Sequence, residues 1–189
     1  MIENETPLEK IEYCIDKEEW RCYHFGNFYL SPIQQGIQSA HAQMELFNNY
    51  CPNIFNNNEV EDTPAIDMLF TWSNQWKTMI CLNGGDNLTL TEIKDKICVD
   101  ENPYPNSYFN ESESALNGVL TNVAIVLPKR IFGAAEALRT GKFTLIGNEL
   151  HNKRIDDNTF GGYKPPRLDV FTDIEVKIIE ILNSCGLAR

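Results

Sequence analysis

The four residues Ser31-Pro32-Ile33-Gln34 constrain this chain more tightly than any other four. Serine before proline sets an N-cap ahead of a first helical residue that has no N–H to satisfy, and Gln34, three positions after the cap, completes a capping box. A helix therefore starts at Pro32. At about 100° per residue, Ile33, Ile37, Ala40, Met44, Phe47 and Cys51 fall in one narrow sector, which periodicity assigns to the core. Gln34, Gln38, His41 and Glu45 form a second stripe roughly 100° around the cylinder. Glu45 is the only charged residue between Ser31 and Asn58, so this flank is built from neutral polar groups.

Around that helix the order of elements can be read. WRCYHFGNFYL, from Trp20, is rich in strand formers and predicts a strand, with Gly26 as a bulge or a close backbone approach. The stretch before it, around Ile11, Tyr13 and Ile15, fits a short strand or a helical turn equally. NIFNNNEVEDTP reads as a loop, and Pro64 opens a second helix through Ile66, Met68, Leu69 and Trp72. WKTMICLN, bounded by Gly84 and Gly85, predicts a strand covered on both faces. A helix follows with Asp86, Asn87 or Thr89 as N-cap and Leu90, Ile93 and Ile97 inside. A strand at SYFN, an acidic connection and a last strand, VLTNVAIVL, end at Pro128. The sequence β, α, α, β, α, β, β implies an α/β fold: a mixed four-stranded sheet flanked by helices on both faces. Residues 1–128 form this domain. Residues 129–189, with a helical FGAAEALR, a GGYKPP loop and an amphipathic DIEVKIIEILNSC, form a C-terminal helical extension packed on it.

Charge and cysteines narrow the function classes. Residues 1–128 carry 6 Lys or Arg against 19 Asp or Glu, and residues 129–189 carry 10 against 8, for a net charge of −11. An anionic surface repels a phosphate backbone, so a nucleic-acid contact needs a local basic patch. The extension offers Lys129, Arg130, Arg139, Lys142, Lys153 and Arg154. Six scattered cysteines without a C-x-x-C pair read as reduced thiols, and no His or Cys spacing suits a metal. No apolar run approaches a membrane span and the first residues are acidic, so a cytoplasmic protein without membrane contact is expected. Gly84-Gly85-Asp86 and Thr140-Gly141-Lys142 lack phosphate-loop spacing, and no cofactor is implied.

One resemblance joins these observations. A strand, then Ile37-Gln38-Ser39-Ala40-His41-Ala42 at a helix start, a strand introduced by W-K-T, and an acidic loop before L-T-N-V-A-I are similar to the type II peptidyl-tRNA hydrolase superfamily. The resemblance covers roughly residues 20 to 128. It implies hydrolysis of the ester between a peptide and the 3′ end of tRNA. It also implies that Gln34, Gln38, His41, the acidic pair Glu111 and Glu113, and Thr121 occupy the functional positions. Where the well-studied hydrolases have a lysine near the start of the first helix this chain has Gln34, and where they have an aspartate followed by glycine it has ESES.

The residues themselves support two chemistries. Ester hydrolysis needs a group to take the proton of water, and donors for the oxyanion. His41 suits the first role, Gln38 orients water, and the helix start near Ser31 and Gly36 offers N–H groups to an anionic oxygen or a phosphate. Each has a plainer reading: solvated glutamines, a histidine packed beside Met44, acids in a solvated loop, and a threonine at a sheet edge. Gln34 gives an anion less than a lysine would, which favours the alternative, a non-cleaving binder of a nucleotide or nucleotide-derived signal on the same scaffold. The partners implied are the tRNA 3′ end or a small nucleotide ligand, with a second copy of the chain as a homodimer partner. A third reading places a protein-binding apolar patch beside Trp72 and Trp76.

Overall fold

The computed structural model describes residues 19–52, 63–112, 114, 117–141, 143–152 and 169–188. The stretch around Ile11, Tyr13 and Ile15, Lys142, Lys153, Arg154, the GGYKPP loop and most of the Asn-rich loop lie outside the described residues, as does Glu113.

Bulky and aromatic side chains make β1 (Trp20–Gly26) a strand buried over most of its length. It pairs in parallel with β2 (Thr78–Asn83) and antiparallel with β4 (Leu120–Pro128), which in turn pairs antiparallel with β3 (Asn106–Asn110). The sheet order is β2-β1-β4-β3. Every residue of β4, a central strand covered on both faces, is buried, and its polar Thr121 and Asn122 are satisfied by hydrogen bonds to Gln38 and His24. β2 corrects the sequence reading. It is an edge strand and only Leu82 in it is buried, because a short apolar run does not reveal whether a neighbour lies on both sides. Residues 186–188 run along its outer side: the Asn83 N–H donates to Gly186 O at 2.8 Å, the Ala188 N–H to Cys81 O at 3.0 Å, and Leu187 bridges Leu82.

The helices divide between the two faces, and the parity of β1 shows which goes where. Tyr23 meets Phe132 of α4 (Lys129–Arg139) at 6.1 Å between ring centroids. Its neighbour His24 points the other way, to Asn122 and through it to Ser39 of α1 (Pro32–Tyr50). Capping residues start three of the other helices too: Thr63 caps α2 (Pro64–Thr71), Asp86 caps α3 (Asn87–Ile97), and Thr172 with Glu175 makes a capping box on α5 (Asp173–Ser184). Leu90, Ile93 and Ile97 are buried as their spacing predicts. Gly84 is needed where β2 leaves for α3, since a Cβ there would sit 2.7 Å from Leu90 Cδ1 and 3.1 Å from the Gly26 carbonyl.

Three further expectations are revised. Of the predicted sector, Phe47 and Cys51 at the end of α1 meet the core, but Ile33, Ile37, Ala40 and Met44 are exposed, and α1 instead buries Gln35, Gln38, Ser39, Ala42 and Leu46, on its opposite side. The physical reason lies in the sheet face beneath. It carries Ser107, His24 and Asn122, and a backbone carbonyl and a hydroxyl of α1 satisfy it: Ser107 Oγ donates to Ala42 O at 2.6 Å and Asn122 Nδ2 to Ser39 Oγ at 3.2 Å. Of the two tryptophans expected beside a surface patch, Trp72, in the π-helical turn Trp72–Trp76 after α2, is buried with its indole N–H on Thr78 O at 2.9 Å, and only Trp76 is exposed. The extension has its two expected helices, but between them it also holds a second sheet, β5 (Phe143–Ile146), β6 (Glu149–Asn152) and β7 (Asp169–Val170), which the sequence reading did not include.

Ile178, Ile179 and Leu182 of α5 join Phe132 and Ile131 of α4 in the core. Arg130 ties the pair together through Glu175 at 2.6 Å, Asp169 at 3.0 Å and the Val170 carbonyl at 2.7 Å. No helix among the described residues is long and apolar enough to cross a membrane.

Candidate functional site

Pairing register brings several chain ends to one end of the sheet. Gly26 lies opposite both Asn83 and Asn122, and Asn110 lies opposite Leu120. The ends of β1, β2 and β3 and the start of β4 therefore share a rim, and α1 begins there after the short connection from Asn27 to Ser31. The bend in that connection is held by the Asn27 N–H on Thr121 O at 3.1 Å and the Tyr29 N–H on Asn27 Oδ1 at 3.1 Å.

At this rim the structure joins side chains that are far apart in sequence. Gln38, on the flank of α1 that turns toward β4, donates from Nε2 to Glu111 Oε2 at 2.9 Å, across 73 residues. Its Oε1 faces the Thr121 hydroxyl at 2.9 Å, across 83 residues. That hydroxyl has one proton for two acceptors, since Phe109 O lies 3.1 Å away. A carboxylate at one end and a hydroxyl at the other fix the orientation of the Gln38 amide. Gln38 and Thr121 are buried, whereas Glu111 is half-buried and at the surface of the cluster. His41, one turn along the same flank and exposed, stacks on Phe109 at 4.6 Å between centroids with the rings 16° apart.

The electrostatics of Glu111 follow from these contacts. The Ser112 N–H, at 3.0 Å from Oε1, the Gln38 amide and nearby His41 hold its carboxyl below the usual carboxylate range. It is ionised at neutral pH and oriented by two donors. Gln38 therefore orients a carboxylate. The cluster can accept a proton at Glu111 and present an imidazole at His41.

Other expected site residues are placed differently. Gln34 is spent on the cap: its Oε1 accepts from the Ser31 N–H at 3.0 Å and from the Ser31 hydroxyl at 2.9 Å, and its own N–H reaches Ser31 Oγ. The capping box thus closes on itself two of the N–H groups expected to meet an anion. Gly36 is exposed, and a Cβ there would meet nothing within 4 Å, so no close approach demands a glycine. Of the basic candidates, Arg130 is engaged with Glu175 and Asp169, and Arg139 donates to Leu182 O and, at 3.0 Å, to Cys185 O at the end of α5.

Sequence reasoning missed Phe109, the platform for His41, and the buried polar chain under α1. There Cys22 Sγ lies 3.3 Å from His24 Nε2, His24 Nδ1 3.1 Å from Asn122 Oδ1, and Asn122 reaches Ser39. Burial pushes the His24 imidazole down to about 4, against the opposing bond to Asn122. Alternation along HFG and LTNVA carried the signal, since each places a polar residue among strand formers.

A cavity of about 760 Å³ opens on the neighbouring part of the rim, lined by Phe28, Gln35, Asn83 and residues 186–188. Gln38, His41, Glu111 and Thr121 are not among its walls, so the polar cluster and the cavity are adjacent features and not one pocket. Gln35, one of those walls, is buried, its amide N–H on Leu30 O at 3.0 Å. Compared with known protein families the chain matches none, and no curated protein matches it.

Proposed function

We propose that the protein is an ester hydrolase of the peptidyl-tRNA hydrolase type, acting on N-acylated aminoacyl-tRNA. The observation that supports this reading is the convergence of Gln38, Glu111 and Thr121 through two hydrogen bonds of 2.9 Å, with His41 alongside. In this mechanism Glu111, or His41 beside it, takes a proton from water as the oxygen attacks the ester carbonyl. The bond to the ribose 3′ oxygen then breaks and that oxygen receives the proton. Gln38 and Thr121 hold the carboxylate in place and do not themselves react. The test is single-turnover deacylation of N-acetyl-aminoacyl-tRNA. Glu111→Gln and Gln38→Ala are each expected to lower kcat/KM more than about tenfold, or roughly 1.4 kcal/mol of transition-state stabilisation. Gln38→Ala removes a donor that lowers the Glu111 pKa, so the acidic limb of its pH profile is expected to move upward. Unchanged turnover in both variants would remove the cluster from the mechanism.

A second reading is favoured by the adjacent cavity: a protein that holds a nucleotide-derived ligand without cleaving it. Phe28 gives a stacking surface, Gln35 and Asn83 give neutral amides, and none of the described residues that line the cavity is charged. This reading predicts a small molecule released on denaturation and a Tm raised by that compound. A ligand-free preparation with no thermal response to a nucleotide panel counts against it.

A further inference from the structure

The apolar stripe of α1 turned away from the core has an ordering of its own. Ile33 is 77% exposed, Ile37 50% and Met44 51%, and Ala40 between them is also exposed. The intervals from 33 to 37, 40 and 44 are four, three and four, the heptad rhythm with which one helix meets another. The side chains flanking this seam are Gln34 and His41 on one side and Gly36 and Gln43 on the other, with no carboxylate among them. A chain of net charge −11 repels its own copies over most of its surface, and this face is free of that repulsion.

We propose that α1 is a self-association surface, and that its occupant is the α1 of a second copy lying antiparallel across a two-fold axis. In that arrangement Ile33 packs against Met44 of the second copy and Ile37 against its Ala40, and the two reciprocal contacts complete four layers. A parallel pair would set Ala40 against Ala40 and leave a hollow between the Ile37 and Met44 layers, whereas the antiparallel pair fills it with Ile37. The same register lays Gln34 of one copy beside His41 of the other, so the pairing borders the Gln38–Glu111 cluster. The seam spans about three helical turns, which puts the interface at the small end of specific contacts, about 1,200 Å² or less in total. Association is therefore expected on the order of micromolar concentration.

Sedimentation velocity of the full chain, across a concentration series bracketing the micromolar range, should show a reversible monomer–dimer equilibrium. Ile37→Glu and, separately, Ile33→Glu should abolish the dimer, with the monomer's Tm at low concentration unchanged because both side chains are solvated in the monomer. For orientation, chains carrying Ile37→Cys and chains carrying Ala40→Cys are mixed under mild oxidation. Disulfides between unlike variants should outpace those between like variants, over the background given by the native thiols. A monomer throughout the series, a dimer indifferent to both glutamate variants, or faster coupling of like variants would each overturn the proposal. So would a chain that stays monomeric alone while its seam captures an amphipathic helix of another protein.

Discussion

His24 shows how one residue couples the interior to pH. Its imidazole is sealed between Cys22 and Asn122 and its pKa is lowered to about 4, whereas in the unfolded chain it titrates near the ordinary value of about 6.5. Above that value both states are neutral and the residue adds no pH dependence. As pH falls from about 6.5 toward 4 the unfolded state takes up a proton that the folded state refuses, so stability declines, and below about 4 the loss levels off. The contribution amounts to about 3 kcal/mol between those limits. Urea unfolding at pH 7 and pH 5 should show a steeper loss in the wild type than in His24→Gln, which keeps an amide for Asn122 but has no titrating group. Equal slopes would mean that His24 does not titrate in this way. Glu111 lies at the other extreme: it is near solvent and ionised, and its orientation comes from Gln38 and Ser112.

Helix α1 marks the limit of what periodicity discloses. Its start was legible to the residue, because the cap of Ser31 and Gln34 is a local matter. Its inward face was not, since periodicity assumes an apolar interior and the sheet beneath carries Ser107, His24 and Asn122. The same polar layer places Gln38 against Thr121 and Glu111. The stripe of Gln and His singled out in the sequence thus meets the cluster even though the core side was assigned wrongly. The β5–β6 hairpin had a readable cue in the Gly-Asn turn at 147–148, with Gly147 at φ +58°, between short alternating runs. Two substitutions test the inverted face. Leu46→Ala, at a fully buried position, should cost about 3 kcal/mol, whereas Ile33→Ala should fall within about 0.5 kcal/mol of the wild type. Chemical denaturation at low protein concentration separates them, and the reverse ranking would restore the pattern read from periodicity.

Across the whole molecule, charge and connectivity work together. The basic residues that sequence composition concentrates after residue 128 are in part internal fasteners: Arg130 binds the strand and helix that follow it, and Arg139 caps α5. They hold α4 and α5 against one face of the sheet and leave the acidic character of the remainder uncompensated. The element order and mixed sheet were recoverable from the sequence because each strand of the main sheet carries its own strand formers and flanking turn residues. The edge position of β2 was not, because neighbour relations belong to the tertiary fold. That edge carries a hazard which residues 186–188 offset. Without them, β2 would offer bare amide and carbonyl groups along an extended T-M-I-C-L run that lacks charge and proline. A chain shortened to Cys185 should accordingly assemble into thioflavin-positive fibrils under conditions in which the intact chain stays clear. Residues 186–188 would then act as a guard against templated growth.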